Sequence, residues 1–420
     1  MGLKGETMNI LKKAYGRVFQ NVMKVATNAL NFHEPILLNG VESIPEILKE
    51  KEKINSVLIV TDDFLHNKGK LIDGLKADLE KNNIKYAVYD RTIPNPTIDN
   101  IEEALIMYHN NGCQGFIAVG GGSPMDCAKG VACRVARPNK QIPQMKGLLK
   151  VMKKLPPFLA VPTTSGTGSE ATIVAVVSNA KTHEKYAIND PVLIPKYAVL
   201  DPKLTVGLPN FITSTTGMDA LTHAVEAYIG NSNTKKTKEM SIKAIKLIFT
   251  NLKKAYDDGK NLEARRNMQL AAYYAGIAFT RAYVGYVHAI AHNLGGMYGA
   301  PHGDANSIIL PYILDYFGKS AYKKLAELAD EVGIKGDNDE EKAKAFIQAI
   351  RDLNASMNIP SNVNEIKKIK EIGGIKDEDI PIMVDRAYRE GYPLYPVPKF
   401  MDKEDFTKMY SIIQGKQPVG

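Results

Sequence analysis

Cysteine is scarce in this chain, with three in 420 residues, at Cys113, Cys127 and Cys133. An odd number with neither disulfide-like nor zinc-like spacing excludes a disulfide framework and a thiolate zinc site, and fits buried structural thiols in a reducing cytoplasm. No catalytic role falls to any of them. Long apolar runs are missing as well: nothing approaches the ~20 residues that span a bilayer. The N-terminus lacks a signal peptide's small-residue cleavage site, so the expectation is a soluble, cytoplasmic protein. Internal repeats and low-complexity tracts are absent. A strong excess of one charge is lacking too, since 54 basic residues face 46 acidic ones, for a net charge of +8 and a pI near 9. The two signs are interspersed and no nucleic-acid motif or aromatic-interleaved basic repeat occurs, so the excess reads as a lysine-rich solvated surface and nucleic acid is excluded as a partner.

One segment stands apart. Ile10 to Phe32 mixes Lys12, Lys13, Arg17 and Lys24 with Leu11, Val18, Phe19, Val22, Met23 and Val25 at helical spacing. A basic amphipathic helix of this kind can lie on anionic lipid. The preferred reading is a helix packed on the protein's own surface or against a neighbouring subunit, which disfavours membrane association.

A hydrophobic content of 44% over this length is enough for two domains with separate cores. From about residue 54, short β-rich runs alternate with helical patterns: SVLIVTD, a helix to about Asn83, KYAVYD, a helix from Ile98, then GFIAVGGGS and FLAVPTT. That alternation predicts a parallel α/β layout. IVAVVSNAKTHEKYAI predicts a hairpin with its turn in NAKTHEK. After YAVLDP the β signal stops, and from about Thr213 helix follows helix. The expected division is a helical extension over 1–32, an α/β dinucleotide-binding domain over 33–208 and an all-α domain over 209–420.

Two loops in the first domain carry cofactor signals. In GFIAVGGGSPMDCAKG, Gly120, Gly121 and Gly122 follow a buried strand. Ser123 is the expected helix N-cap, Pro124 the first helical residue, and Asp126 closes a capping-box-like pattern. Glycines let a diphosphate approach the backbone, and the helix dipole favours its charge. VPTTSGTGSE supplies the hydroxyls of Thr163, Thr164 and Thr167 beside Gly166 and Gly168, a set suited to diphosphate and ribose. Asp62 ends the strand VLIVTD, where a carboxylate can accept from an adenosine ribose and repel a 2′-phosphate, which favours NAD over the alternative, NADP.

The second domain carries metal signals. Four of the eight histidines lie between Gly217 and Gly303. Asp219 and His223 are four apart in GMDALTHAVEAY, so they leave one helix face. His288 and His292 repeat that spacing in GYVHAIAHNLGG, and His302 follows in APHGDAN. Three imidazoles and a carboxylate suit iron(II) or zinc. Spacing alone does not decide between His288 and His292. Metal and cofactor signals fall in different domains, which points to an active site in the cleft between them.

Together HEPILLNG, GGGSPMD, PTTSGTGSE, GMDALTHAVEAY and GYVHAIAHNLGGMYGAPHG, spread over most of the chain, resemble the iron-containing (group III) alcohol dehydrogenases. The resemblance implies a nicotinamide-dependent alcohol dehydrogenase or aldehyde reductase, with a small alcohol or aldehyde as partner and a homodimer or larger homo-oligomer as assembly. It implies Fe2+, with Zn2+ as the alternative, on Asp219, His223, His288 and His302. His292 then stands beside the substrate as the catalytic candidate for the proton path. The cofactor residues implied are Asp62, Gly121, Gly122, Ser123, Asp126, Thr163, Thr164 and Lys185. The alternatives are a zinc polyol dehydrogenase of the glycerol type and a dehydroquinate-synthase-like lyase. A lyase would need several basic residues for a polyanion, whereas Tyr283, Tyr286, Ala289 and Ile290 make the histidine segment apolar and aromatic. The chain departs from the family at Asn293 and Asp304, either of which can reshape the pocket, and in the extension before His33.

Overall fold

The computed structural model describes residues 8–30, 32–180 and 184–417. Among these, the strands are β1 (Ile36–Asn39), β2 (Ser56–Val60), β3 (Lys85–Tyr89), β4 (Gly115–Gly120), β5 (Gly147–Leu148), β6 (Phe158–Pro162), β7 (Val174–Asn179), β8 (Glu184–Asn189) and β9 (Tyr197–Leu200). Helices of eight residues or more are numbered α1 (Ile10–Ala29), α2 (Asp73–Lys81), α3 (Ile98–Asn110), α4 (Gly122–Ala136), α5 (Asn210–Ile229), α6 (Lys235–Asp257), α7 (Leu262–Ala282), α8 (Tyr286–Tyr298) and α9 (His302–Phe317). They continue with α10 (Tyr322–Glu331), α11 (Asp339–Ser356), α12 (Ile380–Gly391) and α13 (Lys403–Ile413). The chain divides into two compact units: Asn31–Leu208 with Gly259–Thr280, and Met1–Leu30 with Pro209–Asp258 and Arg281–Gly420.

In the α/β unit, six parallel strands run in the order β1-β9-β6-β4-β2-β3. β2, β4 and β6 are buried along their whole length, because helices cover both faces of a parallel sheet; that is why SVLIV, GFIAVG and FLAVP read as continuous runs rather than alternations. Successive residues nonetheless serve opposite cores. Leu58, Val60, Phe116, Ala118, Phe158 and Ala160 join one cluster, and Val57, Ile59, Ile117, Val119, Leu159 and Val161 the other. The expected hairpin forms as β7 and β8, antiparallel from Val174↔Asn189 to Asn179↔Glu184, in a second sheet ordered β5-β8-β7. Three residues of its expected turn, 181–183, lie outside the described residues. α7 is bound into this unit by polar contacts. Gln269 donates to the carbonyls of Pro162 and Asp201, and Tyr273 donates to that of Pro35.

The helical unit is built on α5, buried on nearly every side from Thr213 onward. Its small and apolar residues all round mark an interior helix. α1 packs on its own chain, but through its polar face: Arg17 donates to the carbonyls of Val397 and Pro398, and Gln20 to those of Pro393 and Tyr395. Arg17 also lies over the ring of Phe400. Amphipathic spacing defines two faces without saying which turns inward; here carbonyls of the 393–398 segment accept from the donors of the polar face. None of the described helices is long and apolar enough to cross a membrane.

Candidate metal centre and cofactor loops

Asp219 and His223, one turn apart on α5, are both buried, with His223 Nδ1 3.9 Å from Asp219 Oδ2. α9 begins beside them because its second residue is Gly303. A Cβ there would lie 2.5 Å from the Thr215 carbonyl oxygen, so a larger residue would push the first turn of α9 away from α5. That contact brings His302 Nε2 to 3.5 Å from Asp219 Oδ1. From α8, His288 Nε2 reaches to 4.0 Å from the same oxygen, and its ring stacks on His223 at 4.6 Å. One ligand atom from each of the four residues lies within 4.8 Å of the others.

His288 is oriented from behind. Glu226, three residues after His223, accepts from the backbone N–H of Gly285 at 2.8 Å and of Val287 at 2.9 Å, and lies 2.6 Å from His288 Nδ1. A carboxylate in this position accepts a hydrogen bond from Nδ1–H and leaves the Nε2 lone pair facing Asp219. Burial pushes the Glu226 carboxyl up to about 8 against the pull of those two donors. His292 nearby adds a further downward pull and Glu390 a small upward push. Burial, then the neighbouring imidazoles, hold His288 well below the usual histidine range, in the neutral form that binds metals.

Asn306 tests whether a cation fits. Its Nδ2 is 2.7 Å from Asp219 Oδ1, 3.0 Å from His302 Nε2 and 3.2 Å from His288 Nε2, while its buried Oδ1 has no partner among the described residues. The reversed amide would set an oxygen against a carboxylate and two lone pairs, so nitrogen faces the cluster. Two amide hydrogens then serve three acceptors. An electron-rich point of this kind, built from three imidazoles and one carboxylate, suits a borderline divalent cation.

His292 lies next to this set. Its ring stacks on His302 at 5.3 Å, and its Nδ1 is 2.6 Å from Glu390 Oε1, which also accepts from Tyr395 at 2.7 Å. Asn293 turns back on its own helix, donating to the Ala289 carbonyl, and burial raises Asp304 to about 6.

The cofactor candidates collect at the C-terminal ends of β2, β4 and β6, neighbours in the sheet. The chain order reverses between β2 and β4, the kind of switch point where open α/β sheets bind ligands. Asp62, after β2, accepts from the backbone N–H of Leu65 at 3.0 Å. After β4 the turn falls on Gly120, at φ +151°, where a Cβ would meet Pro124 at 2.5 Å. The helix therefore starts earlier than expected. Gly121, not Ser123, is the N-cap, and Ser123 lies in the first turn, accepting from the Asn95 N–H at 3.3 Å. Asp126 closes no capping box; it accepts from Ser169 Oγ and the Val176 N–H, and burial raises it to about 6. Thr163 donates its backbone N–H to the Gly120 carbonyl, and a Cβ on Gly121 would lie 3.2 Å from Thr164 Oγ1. Lys185, on β8, donates to Asn95 Oδ1, so Ser123 and Lys185 meet through one asparagine.

Comparison with known proteins bears on the whole arrangement. The family described as iron-containing alcohol dehydrogenase matches residues 36–202, and the C-terminal part of the Fe-containing alcohol dehydrogenase family matches 213–413. The chain belongs to the iron-containing alcohol dehydrogenases. It is 37% identical to 1,3-propanediol dehydrogenase of Klebsiella pneumoniae over 86% of this chain and 91% of that one. It is 32% identical to the NAD-dependent methanol dehydrogenase of Bacillus methanolicus over 86% and 93%. The alcohol dehydrogenase from Oenococcus oeni superposes with a TM-score of 0.85 at 36% identity, covering 92% of this chain and all of that one. The molecule is accordingly an oxidoreductase that interconverts alcohols and aldehydes.

Four side chains that support the candidate sites are not flagged by the sequence pattern: Asn306, Glu226, Glu390 and Lys129. Asn306 stands four residues after His302, the same spacing that marked Asp219 and His223, and was open to discovery on that ground. Glu226 lies three residues after His223 on one helix and carried a similar signal. Glu390 and Lys129 carried none. Lys129 is fully buried and donates to the carbonyls of Ser169, Thr172 and Val174 and to the hydroxyls of Ser169 and Thr172, which fastens α4 to the loop after β6.

Proposed function

We propose that Asp219, His223, His288 and His302 hold iron(II), that NAD(H) binds at the ends of β2, β4 and β6, and that the enzyme interconverts a small primary alcohol and its aldehyde. The convergence of four ligand atoms within 4.8 Å, three of them on an amide with only two hydrogens, carries this reading. When bound, the metal supplies positive charge to the substrate oxygen and the nicotinamide supplies or accepts the hydride. The chain's own residues do the rest. Glu226 keeps the His288 lone pair facing the metal set. His292, half-exposed and steadied by Glu390, relays the alcohol proton toward solvent. Gly121, Gly122, Ser123, Thr163 and Thr164 receive the diphosphate, with Asp126 and Lys185 bracing the loops around it. Asp62 takes the adenosine ribose and repels a 2′-phosphate, in keeping with a relative described as NAD-dependent. Three buried cysteines suit a cytoplasmic enzyme.

The test is oxidation of NADH and of NADPH with a panel of short aldehydes, on anaerobically purified protein stripped by chelator and then given iron(II) or zinc. Turnover restored by iron, with NADH preferred, is the expected result. Bound metal without turnover on any aldehyde would replace this reading with the polyol or lyase one.

A further inference from the structure

α1 turns its polar side to the protein and its apolar side to solvent. Leu11, Tyr15, Val18, Val22 and Val25 are 79, 60, 62, 60 and 70% exposed. Their spacings of four, three, four and three residues form one straight seam along the helix, the repeat of a two-helix coiled coil. The stripe offers on the order of 600 Å² per copy, at the upper limit of the largest apolar patch on ordinary monomers. Both family matches begin after it, the first at residue 36.

We propose that this stripe is a self-association surface that pairs with the same stripe on a second copy of the chain. Three observations select that occupant. First, the seam has the 3.5-residue period of helix-on-helix packing, which a lipid surface does not require. Second, the flanks of the seam at Ala14, Phe19, Asn21 and Ala26 are uncharged, so two copies approach without like-charge repulsion beyond Lys12. Third, the cations that would seek anionic lipid are engaged elsewhere. Arg17 donates to Val397 and Pro398 and Lys24 to the Asn231 carbonyl, which leaves only Lys12 and Lys13 of the helix's basic residues outside those bonds.

An isolated pair of such helices would have to order both chains on association. Here the helix is already held: Tyr392 donates to the Lys12 carbonyl, and Thr27 bonds the Tyr283 hydroxyl. Pairing therefore orders little new chain. Two stripes together bury roughly 1,200 Å², the lower edge of stable interfaces.

The experiment measures the mass of the full-length protein in solution, by light scattering across micromolar concentrations, for wild type, Val18→Glu with Val22→Glu, and Lys13→Glu. The two-site variant is expected to have half the wild-type mass with its metal content unchanged, and Lys13→Glu the wild-type mass. Val18 is the midpoint of the stripe, so Val18→Cys, given a mild thiol oxidant such as oxidised glutathione, should form a disulfide between copies whether the helices pair parallel or antiparallel. The absence of both the mass change and the cross-link would overturn the proposal. So would an unchanged mass together with binding of wild type, but not the two-site variant, to phosphatidylglycerol vesicles, which would make the stripe a lipid-binding face.

Discussion

Lys129 in the α/β unit and Asn306 in the helical unit are both fully buried nitrogens ringed by acceptors, yet they end in opposite states. Lys129 brings an ammonium group with three hydrogens to five acceptors on Ser169, Thr172 and Val174; burial lowers it to about 8, against the pull of Asp126 and Glu170. Asn306 brings a neutral amide to a carboxylate and two imidazoles. The first cluster is closed, since its positive charge belongs to the chain. The second is short of positive charge, and its acceptors are the residue types that bind transition metals. Two clusters of similar burial can therefore be told apart by asking whether the fold supplies the cation. One fastens a loop, and the other has the make-up of a binding site.

Substitutions at the two clusters should separate these roles most sharply. His223→Ala is expected to lower metal affinity by about three orders of magnitude, read by elemental analysis after dialysis, because it removes a proposed direct ligand. Lys129→Met should leave metal content intact and cost about 3–5 kcal/mol in urea unfolding, since it strands a ring of buried acceptors. Metal loss in Lys129→Met, or a comparable stability loss in His223→Ala, would erase the distinction. A smaller effect tests the support behind the binding cluster. Glu226→Gln keeps the shape but weakens its hold on the His288 proton, and metal affinity should fall about 10- to 100-fold; an unchanged affinity would make Glu226 a packing residue only.

The smallest effect concerns pH. Burial raises Glu170 from 4.5 to about 7. The folded state therefore keeps a proton that the unfolded chain has released, and the stability this contributes is complete below pH 4.5 and lost as pH rises through about 7. Relative to Glu170→Gln, the wild-type melting temperature should thus decline by roughly 2–4 °C between pH 5 and pH 8. Parallel curves for the two proteins would show that Glu170 is ionised throughout.

The sheet was legible because fully buried parallel strands are short apolar runs bounded by turn residues, and β2, β4 and β6 are of that kind. Asp219 and His223 were legible because residues four apart share a helix face. The same rule could not separate His288 from His292, which share a face equally. Their surroundings differ: Glu226 and Asn306 contact His288, and Glu390 contacts His292. Those partners come from residues up to 98 positions away, where local spacing carries no information. The helix start at Gly121 was misplaced for a local reason, since three consecutive glycines before Ser123 offer several turns and only packing against Pro124 selects one. The inward face of α1 was hidden because it depends on carbonyls near residue 397.

Gly303 fixes the approach of α9 to α5 through a bare α-carbon against the Thr215 carbonyl. A spacing set between two main chains does not depend on which side chains line the rest of α9. Mutation along that helix can change the side chains around the candidate ligand set while the approach of the two main chains stays as it is, so variation in substrate preference under selection would begin from a fixed helix spacing.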